Sequence, residues 1–448
     1  MHAVLEYALE KGVGYAEVKS VAGERTTIEV LDREVKELSS NTSQLFSVRV
    51  LYKGGEGIAF SSKKEGKDLV EKALAAARSF RKGVKLPVLK AFQKKIKTKC
   101  EVHPKDISLE EKKKDVLRLD VRDNFKRVNS CRMLYTESVK NVLFENSEGT
   151  SVEWDDVVSG IMVQAFAKEG IKSENFYDVD RGHKGYEILE GAREKMQETM
   201  RMAEALLSAK HPIGGVFPVV ADQRLGGVFA HEAVGHGCEA DLVLQNNSLL
   251  KNKIGKKIGA DGLTLIDDGT REGVYGWVPV DDEGVEGQKT VLIDCGVLKS
   301  FLHSRETAAK MNAVPTGNGR AESLAYPAIP RMRCTYINEG DASFEEMLSG
   351  VKEGYYLKGT TGGEVNPATG EFLFNAQYGF KVEKGDLAEM VKAVSLQGSI
   401  LKILPQIVLF GKDLKFSHGT CGKNGQGVPV SDGAPHMLLE KAQVGGQG

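Results

Sequence analysis

A chain of 448 residues, 41% of them hydrophobic, is long enough for two or three domains with sizeable cores. Its 61 basic and 62 acidic side chains are intermixed, which leaves a net charge of −1 and no basic footprint for nucleic acid. No uncharged apolar run reaches membrane-spanning length, and the first residues, MHAVLEYALEKG, lack the pattern of a secretory leader, so a cytoplasmic protein with no membrane partner is expected.

His2 to Lys11 has helical periodicity. After it AEVKSV, TTIEVLD and FSVRVLY alternate as strands do, separated by turn-like stretches, and KGGEGIAFS leads to an amphipathic helix from about Lys64 to Phe80. Together they make a first α+β domain, residues 1–85. The Lys-rich stretch from about Lys82 to Pro104 has no period and reads as a solvated connector. EEKKKDVLRLDVRDNF is a helix, RMLYTESVKNVLFENSEG and SVEWDDVVSGIMVQAFAKEG are long alternating segments, and a helix from Tyr186 to about Lys210 closes a middle α+β domain, residues 105–212.

From Val216 the texture changes. VFPVVAD is a buried strand running into the helix that carries His231, and beyond it glycine is frequent among short strands: TLIDDG, TVLIDCGVLKSFLH, RMRCTYINEG, EFLFNAQYGFKVEKG and DLKFSHGTCG. Short strands with Gly-rich turns predict a large, mostly antiparallel sheet or barrel-like domain over residues 213–445, so the chain as a whole is α+β. The end, KAQVGGQG, reads as a frayed tail. The six cysteines form no C-x-x-C pair, so most are expected to be reduced, buried apolar residues, with Cys131, Cys295 and Cys334 inside strand-like runs.

The chemistry concentrates in FAHEAVGHGCEAD, from Phe229 to Asp241. A common zinc peptidase carries H-E-x-x-H, two imidazoles one helical turn apart with a glutamate beside them. Here His231 and Glu232 are adjacent, but the second histidine, His236, comes five positions after the first. On a regular helix that puts the rings roughly 140° apart, too far round to share an ion. A π-type turn of about 4.4 residues brings them back within roughly 50°. Gly235 and Gly237 bracket His236, and glycine permits a widened turn or a left-handed exit. A distorted or terminating helix is therefore expected.

Two histidines leave a catalytic zinc site one protein ligand short. Cys238 lies seven residues beyond His231, about 10 Å along a helix, farther than two zinc bonds reach. Glu239 and Asp241 read as polar residues at the helix end. The C-terminal KFSHGTCGKNGQGVPVSDG supplies His418 and Cys421, which the residue pattern ranks equally. GTCGKNGQ is not a phosphate loop, because Lys423 is followed by Asn424 rather than Ser or Thr. VPVDDEGVEG lacks the alternating acids of a calcium loop and reads as a turn.

HEAVGHGCEAD, VDDEGVEGQKTVLIDCGVLKSFLHS, GNGRAESLAYPAIPRMRCTYINEG, GGEVNPATGEFLFNAQYGFKVEKG and GTCGKNGQ occur in one order in which the chain resembles the TldD/PmbA family of metallopeptidases, in particular its metal-bearing TldD-like subunit. The resemblance covers most of the chain and is densest from about Phe217 to Val430. It implies zinc as cofactor, His231, His236 and Cys421 as ligands, and a fourth position for water that Glu232 deprotonates as general base. It also implies unfolded or extended peptides as substrates, and as partner either a homologous TldE/PmbA-like subunit or a second copy in a homodimer. A thiolate ligand makes the ion a weaker Lewis acid than nitrogen alone would. The Gly-rich GGEVNPATGEF and PTGNGR are candidates for backbone contact with a peptide added as a strand, and Arg320 and Arg331 for a peptide carboxylate, with surface ion pairs an equal alternative. The rival function is a non-enzymatic peptide-binding or regulatory subunit with a structural or empty metal site.

Overall fold

The computed structural model describes residues 1–63, 66–79 and 83–446. Among them the strands form sheets of seven, six and nine strands and one two-stranded ribbon. Among these strands, parallel pairing is found for Gln93–Lys97 on Ser151–Glu169, Cys334–Ile337 on Gln426–Ala434, and Glu353–Lys358 on Gly215–Ala221, and the other strand pairs are antiparallel. This is the expected α+β fold with a large, mostly antiparallel C-terminal domain.

The seven-stranded sheet spans both N-terminal domains. Tyr15–Leu31 pairs with Glu34–Tyr52 on one side and with Val128–Asn146 on the other, and Ser151–Glu169 and Lys172–Gly182 continue the sheet. The turn expected between AEVKSV and TTIEVLD is absent. The chain runs through as a single 17-residue strand, and Gly23 within it lies so close to its neighbour that a Cβ would fall 2.5 Å from the Val139 carbonyl oxygen. The Lys-rich connector contains the short edge strand Gln93–Lys97.

Helices cover one face of this sheet through apolar stripes. Gly66–Ser79 buries Leu69, Val70, Ala73, Leu74 and Ala77 against Val18, Val48 and Val50. The ends expected for it at Lys64 and Phe80 fall outside the described residues. Ala192–Leu206 buries Met196, Met200 and Ala203 against Met133, Tyr135 and Val163. It is shorter than the periodicity predicts because Gly191, at φ 70°, separates it from a 3-10 turn at Tyr186–Leu189. Leu109–Leu117 ends before the predicted helix does, and starts on a capping box of Ser108 and Glu111.

In the C-terminal domain the two large sheets share one core with the chain from Gln223 to Gly235. The six-stranded sheet ends on Lys415–Lys423 and the nine-stranded sheet ends on Gly362–Val365. Residues 441–446 of the expected frayed tail instead complete Met437–Gly446, which pairs with Gly215–Ala221 and with Val394–Ser399, and the last two residues of that tail fall outside the described residues. Cys295, expected in a strand, is exposed in a hairpin turn at φ 47°. No helix of the described residues is long and apolar enough to cross a membrane.

Candidate metal centre

The strand Gly215–Ala221 delivers the chain to Asp222, whose carboxylate accepts from the Leu225 N–H at 2.9 Å and caps the helix Gln223–Val228. The helix then widens. Phe229–Gly235 has π-helical hydrogen bonding, followed by a 3-10 turn at His236–Cys238 and an extended Glu239. Phe229, Ala230, Ala233 and Val234 are buried, with Phe229 edge-on to Phe372 and Phe374 at 5.7 and 5.6 Å. The wide turn absorbs the extra residue of the motif, so the His231 and His236 rings stand 5.2 Å apart and almost perpendicular. The glycines act through space rather than through a left-handed exit. Gly235 has φ −54°, and a Cβ on it would lie 1.9 Å from Met332 Sδ, while one on Gly237 would lie 3.1 Å from Leu250 Cδ1.

Cys421 arrives from the edge strand Lys415–Lys423, opposite Val428. Its Sγ lies 3.4 Å from His236 Nε2, and one donor atom from each of His231, His236 and Cys421 fits within 4.8 Å of the others. Cys238 is enclosed in the core, where burial pushes its thiol up. His418 sits three residues before Cys421, on the opposite face of the strand, with its ring edge-on to Tyr275 at 6.4 Å. Burial and the Arg224 charge lower its imidazole to about 4, and it is not among the three converging donors.

Buried polar groups hold this arrangement. Glu239, wholly buried, accepts from His236 Nδ1 at 2.9 Å and faces Lys423 Nζ at 3.2 Å; Lys423 also reaches Asp241 at 2.7 Å and the Pro330 carbonyl at 2.8 Å. The fully buried Arg331 donates to the carbonyls of Cys421 and Gln426, and Arg320 donates to those of Met332 and Pro429, each at 2.7 Å. Both are buried, so neither makes the surface ion pair that was one of the two readings of the sequence, the other being a peptide carboxylate. Both fix backbone around the cysteine strand. VPVDDEGVEG is a turn, with the Asp281 carboxylate accepting from the N–H groups of Glu283 and Val285.

The three donors are electrostatically coupled to one another where they meet. Burial would raise the Cys421 thiol, but the charge and hydrogen bonds of His231 and His236 overcome it and bring the thiol down to about 4. Burial would lower both imidazoles, yet Cys421 lifts His231, and Glu239 with Cys421 lifts His236 well above its ordinary range. His231 Nδ1 is buried without a hydrogen-bond partner. Two imidazole nitrogens and a thiolate suit zinc with a fourth position open. Donor geometry, donor chemistry and the orphaned nitrogen therefore fit the ion.

Glu232 is positioned beside the donors without joining them. Its Oε2 is 3.8 Å from His236 Nε2, and burial raises its carboxyl. It faces a cavity of about 410 Å³ that is also lined by His231, Arg181, Arg224, Tyr275 and Asp432. Asp432, pushed up to about 6 by burial, has a buried Oδ1 without a hydrogen bond. Arg181 and Asp432 carry no spacing signal, because strands that are distant in sequence assemble them; Glu239 lies three residues from His236, but Lys423, which shares its carboxylate, comes from a distant strand.

Sequence profiles described as the PmbA/TldA metallopeptidase domain 1, central domain and C-terminal domain match residues 16–77, 102–207 and 214–446. A metalloprotease of Methanocaldococcus jannaschii is 40% identical over 438 residues, 96% of each chain. A zinc metalloprotease TldD homolog of Saccharolobus solfataricus is 30% identical over the full length of both chains. The fold is also that of TldE from Thermococcus kodakarensis, with a TM-score of 0.81 over the whole of both chains at 20% identity.

Proposed function

The chain belongs to the PmbA/TldA metallopeptidase family, and from that membership we propose that it is a zinc peptidase in which His231, His236 and Cys421 hold the ion and Glu232 is the general base. The observation that carries this reading is the convergence of the three donors beside a carboxylate that opens onto a cavity. Bound there, zinc would supply Lewis acidity toward the scissile carbonyl and lower the pKa of a water in its open position toward ~7. Glu232 takes the proton of the attacking water and returns it to the leaving amine, a task that needs hydrogen-bond reach and a pKa raised toward neutrality. Glu239 holds His236 by Nδ1 and leaves Nε2 facing Cys421.

The substrate is an extended peptide. The cavity lies between two sheet ends, with Gly362 and Gly363 on one wall and Ser417 to Thr420 on the other. A terminal strand offers main-chain hydrogen bonds to an added strand whatever its side chains, which gives broad sequence tolerance. Of the two Gly-rich stretches, GGEVNPATGEF is the one that lines this cavity. The partner we assign is a TldE/PmbA-like chain or a second copy of this one, which light scattering of the purified chain with and without such a subunit distinguishes.

The test is zinc content from anomalous scattering at the zinc edge, joined to cleavage of an unstructured peptide by the chain and by its Glu232→Gln form. Loss of about 10²–10⁴-fold in cleavage with zinc retained is expected. Undiminished cleavage by Glu232→Gln removes the mechanism, and a chain that binds peptide without cutting it is a binding subunit.

A further inference from the structure

Arg181 stands on the strand Lys172–Gly182 opposite Gly160, and its side chain fills the space a side chain at Gly160 would need: a Cβ there would fall 2.8 Å from Arg181 Nε. The guanidinium lies over the Tyr275 ring, 5.3 Å from its centroid, with Nη1 3.5 Å from Tyr275 Oη and Nη2 3.3 Å from Thr136 Oγ1. These contacts are long and neutral, and among the described residues no carboxylate pairs with it. Arg224, the other arginine on the cavity wall, is by contrast held by Asp178 at 3.0 Å.

Arg181 is therefore a half-buried cation, fixed in place by a glycine gap and an aromatic ring, on the same cavity as Glu232 and His231. A second cavity, of about 490 Å³, lies between the seven-stranded sheet and the C-terminal domain, and Arg181 and Tyr275 line both. A chain leaving the metal centre for the larger space passes this guanidinium. A planar fork of donors with only weak neutral partners matches a carboxylate, which can accept two of its N–H groups at once.

We propose that Arg181 binds a carboxylate of the peptide, either its C-terminus or an acidic side chain, and so sets which peptides are held across the metal centre. The inference rests on the peptidase reading, and its test is direct binding, so the two can fail separately.

The full-length chain carrying Glu232→Gln, which holds peptide without consuming it, is titrated with fluorescein-labelled hexapeptides followed by anisotropy. One pair differs only in a C-terminal acid or amide; a second pair, both amidated, differs only in an internal Glu or Gln. The carboxylate member of one pair is expected to bind about tenfold more tightly, and the pair that responds identifies the source. Adding Arg181→Gln brings that ratio to about one, and Arg181→Lys, which keeps the charge without the fork, leaves an intermediate ratio. Where circular dichroism shows Arg181→Gln unfolded, the Arg181→Lys ratio decides. A ratio unaffected by the substitution at Arg181, or no ratio in the parent chain, overturns the proposal. A chain that discriminates in binding but cleaves nothing once Glu232 is restored overturns the peptidase reading alone.

Discussion

Glu239 Oε2 lies 2.9 Å from His236 Nδ1, on a carboxylate with no exposed surface, and Lys423 Nζ approaches that same oxygen at 3.2 Å. A buried carboxylate needs compensation, and here the cation and the imidazole both supply it. Burial raises Glu239, but the charges of His236 and Lys423 overcome it and hold the carboxyl below its ordinary range. The result is an imidazole with one nitrogen committed to Glu239 and the other aimed at the cysteine.

Glu239→Gln keeps the shape of this group and removes its charge. Zinc affinity, measured by competition with a chromophoric chelator, is expected to fall by about 10–100-fold, the usual cost of losing such a support, with secondary structure unchanged. Affinity equal to that of the parent chain would show that His236 is held by packing alone.

Gly235→Ala places a methyl group where Met332 Sδ already lies, 1.9 Å from the ideal Cβ. The crowding is expected to destabilise the chain by about 1–3 kcal/mol in urea unfolding. Met332→Ala in the same chain opens room for the methyl, so the double variant should be more stable than the sum of the single effects implies. Strict additivity would mean that the two residues do not press on each other.

The distorted helix at the motif was legible because a spacing error has a geometric remedy. A spacing of five positions from His231 to His236 fits one ion only if the helix widens, and the chain from Phe229 to Gly235 does widen. The choice between His418 and Cys421 was not legible from pattern, since it depends on which face of the edge strand meets the helix. The resemblance pointed to Cys421, and the structure places Cys421 with the two histidines. The long N-terminal strands were read as shorter pieces because Gly23 and its polar neighbours look like a turn. Pairing on both sides along its length, with Glu34–Tyr52 and with Val128–Asn146, holds that segment extended. Arg181 had no local signal at all, because its setting comes from Gly160, Tyr275 and Thr136, each on a different segment.

His303 gives the chain an acid-sensitive core. Burial lowers its imidazole from 6.5 to about 4, so between those values the folded chain keeps it neutral while the unfolded chain protonates it. Unfolding therefore takes up a proton there, and stability rises with pH across the interval. The contribution is complete above the unfolded value of 6.5 and is lost as pH falls toward 4, by at most about 3 kcal/mol. His303→Gln removes this one group and leaves the other acid-linked groups in place. Its urea midpoint should fall less steeply than the parent's between pH 6.5 and pH 4.5; parallel curves would mean that His303 titrates normally.

Cys421 and His418 lie three residues apart on one edge strand, and only the first faces the histidines, so substitutions at the two should separate cleanly. Cobalt bound in place of zinc gives a thiolate-to-metal charge-transfer absorption whenever a cysteine sulfur is a ligand. Cys421→Ser is expected to abolish that band and to weaken zinc retention on dialysis, because a hydroxyl is a harder and far less acidic donor than a thiol already lowered to about 4. His418→Ala is expected to preserve both the band and the zinc, since its ring packs against Tyr275 outside the three converging donors. A band that survives Cys421→Ser would transfer the sulfur to Cys238, the cysteine nearest His236 in sequence, and would require the core around it to open.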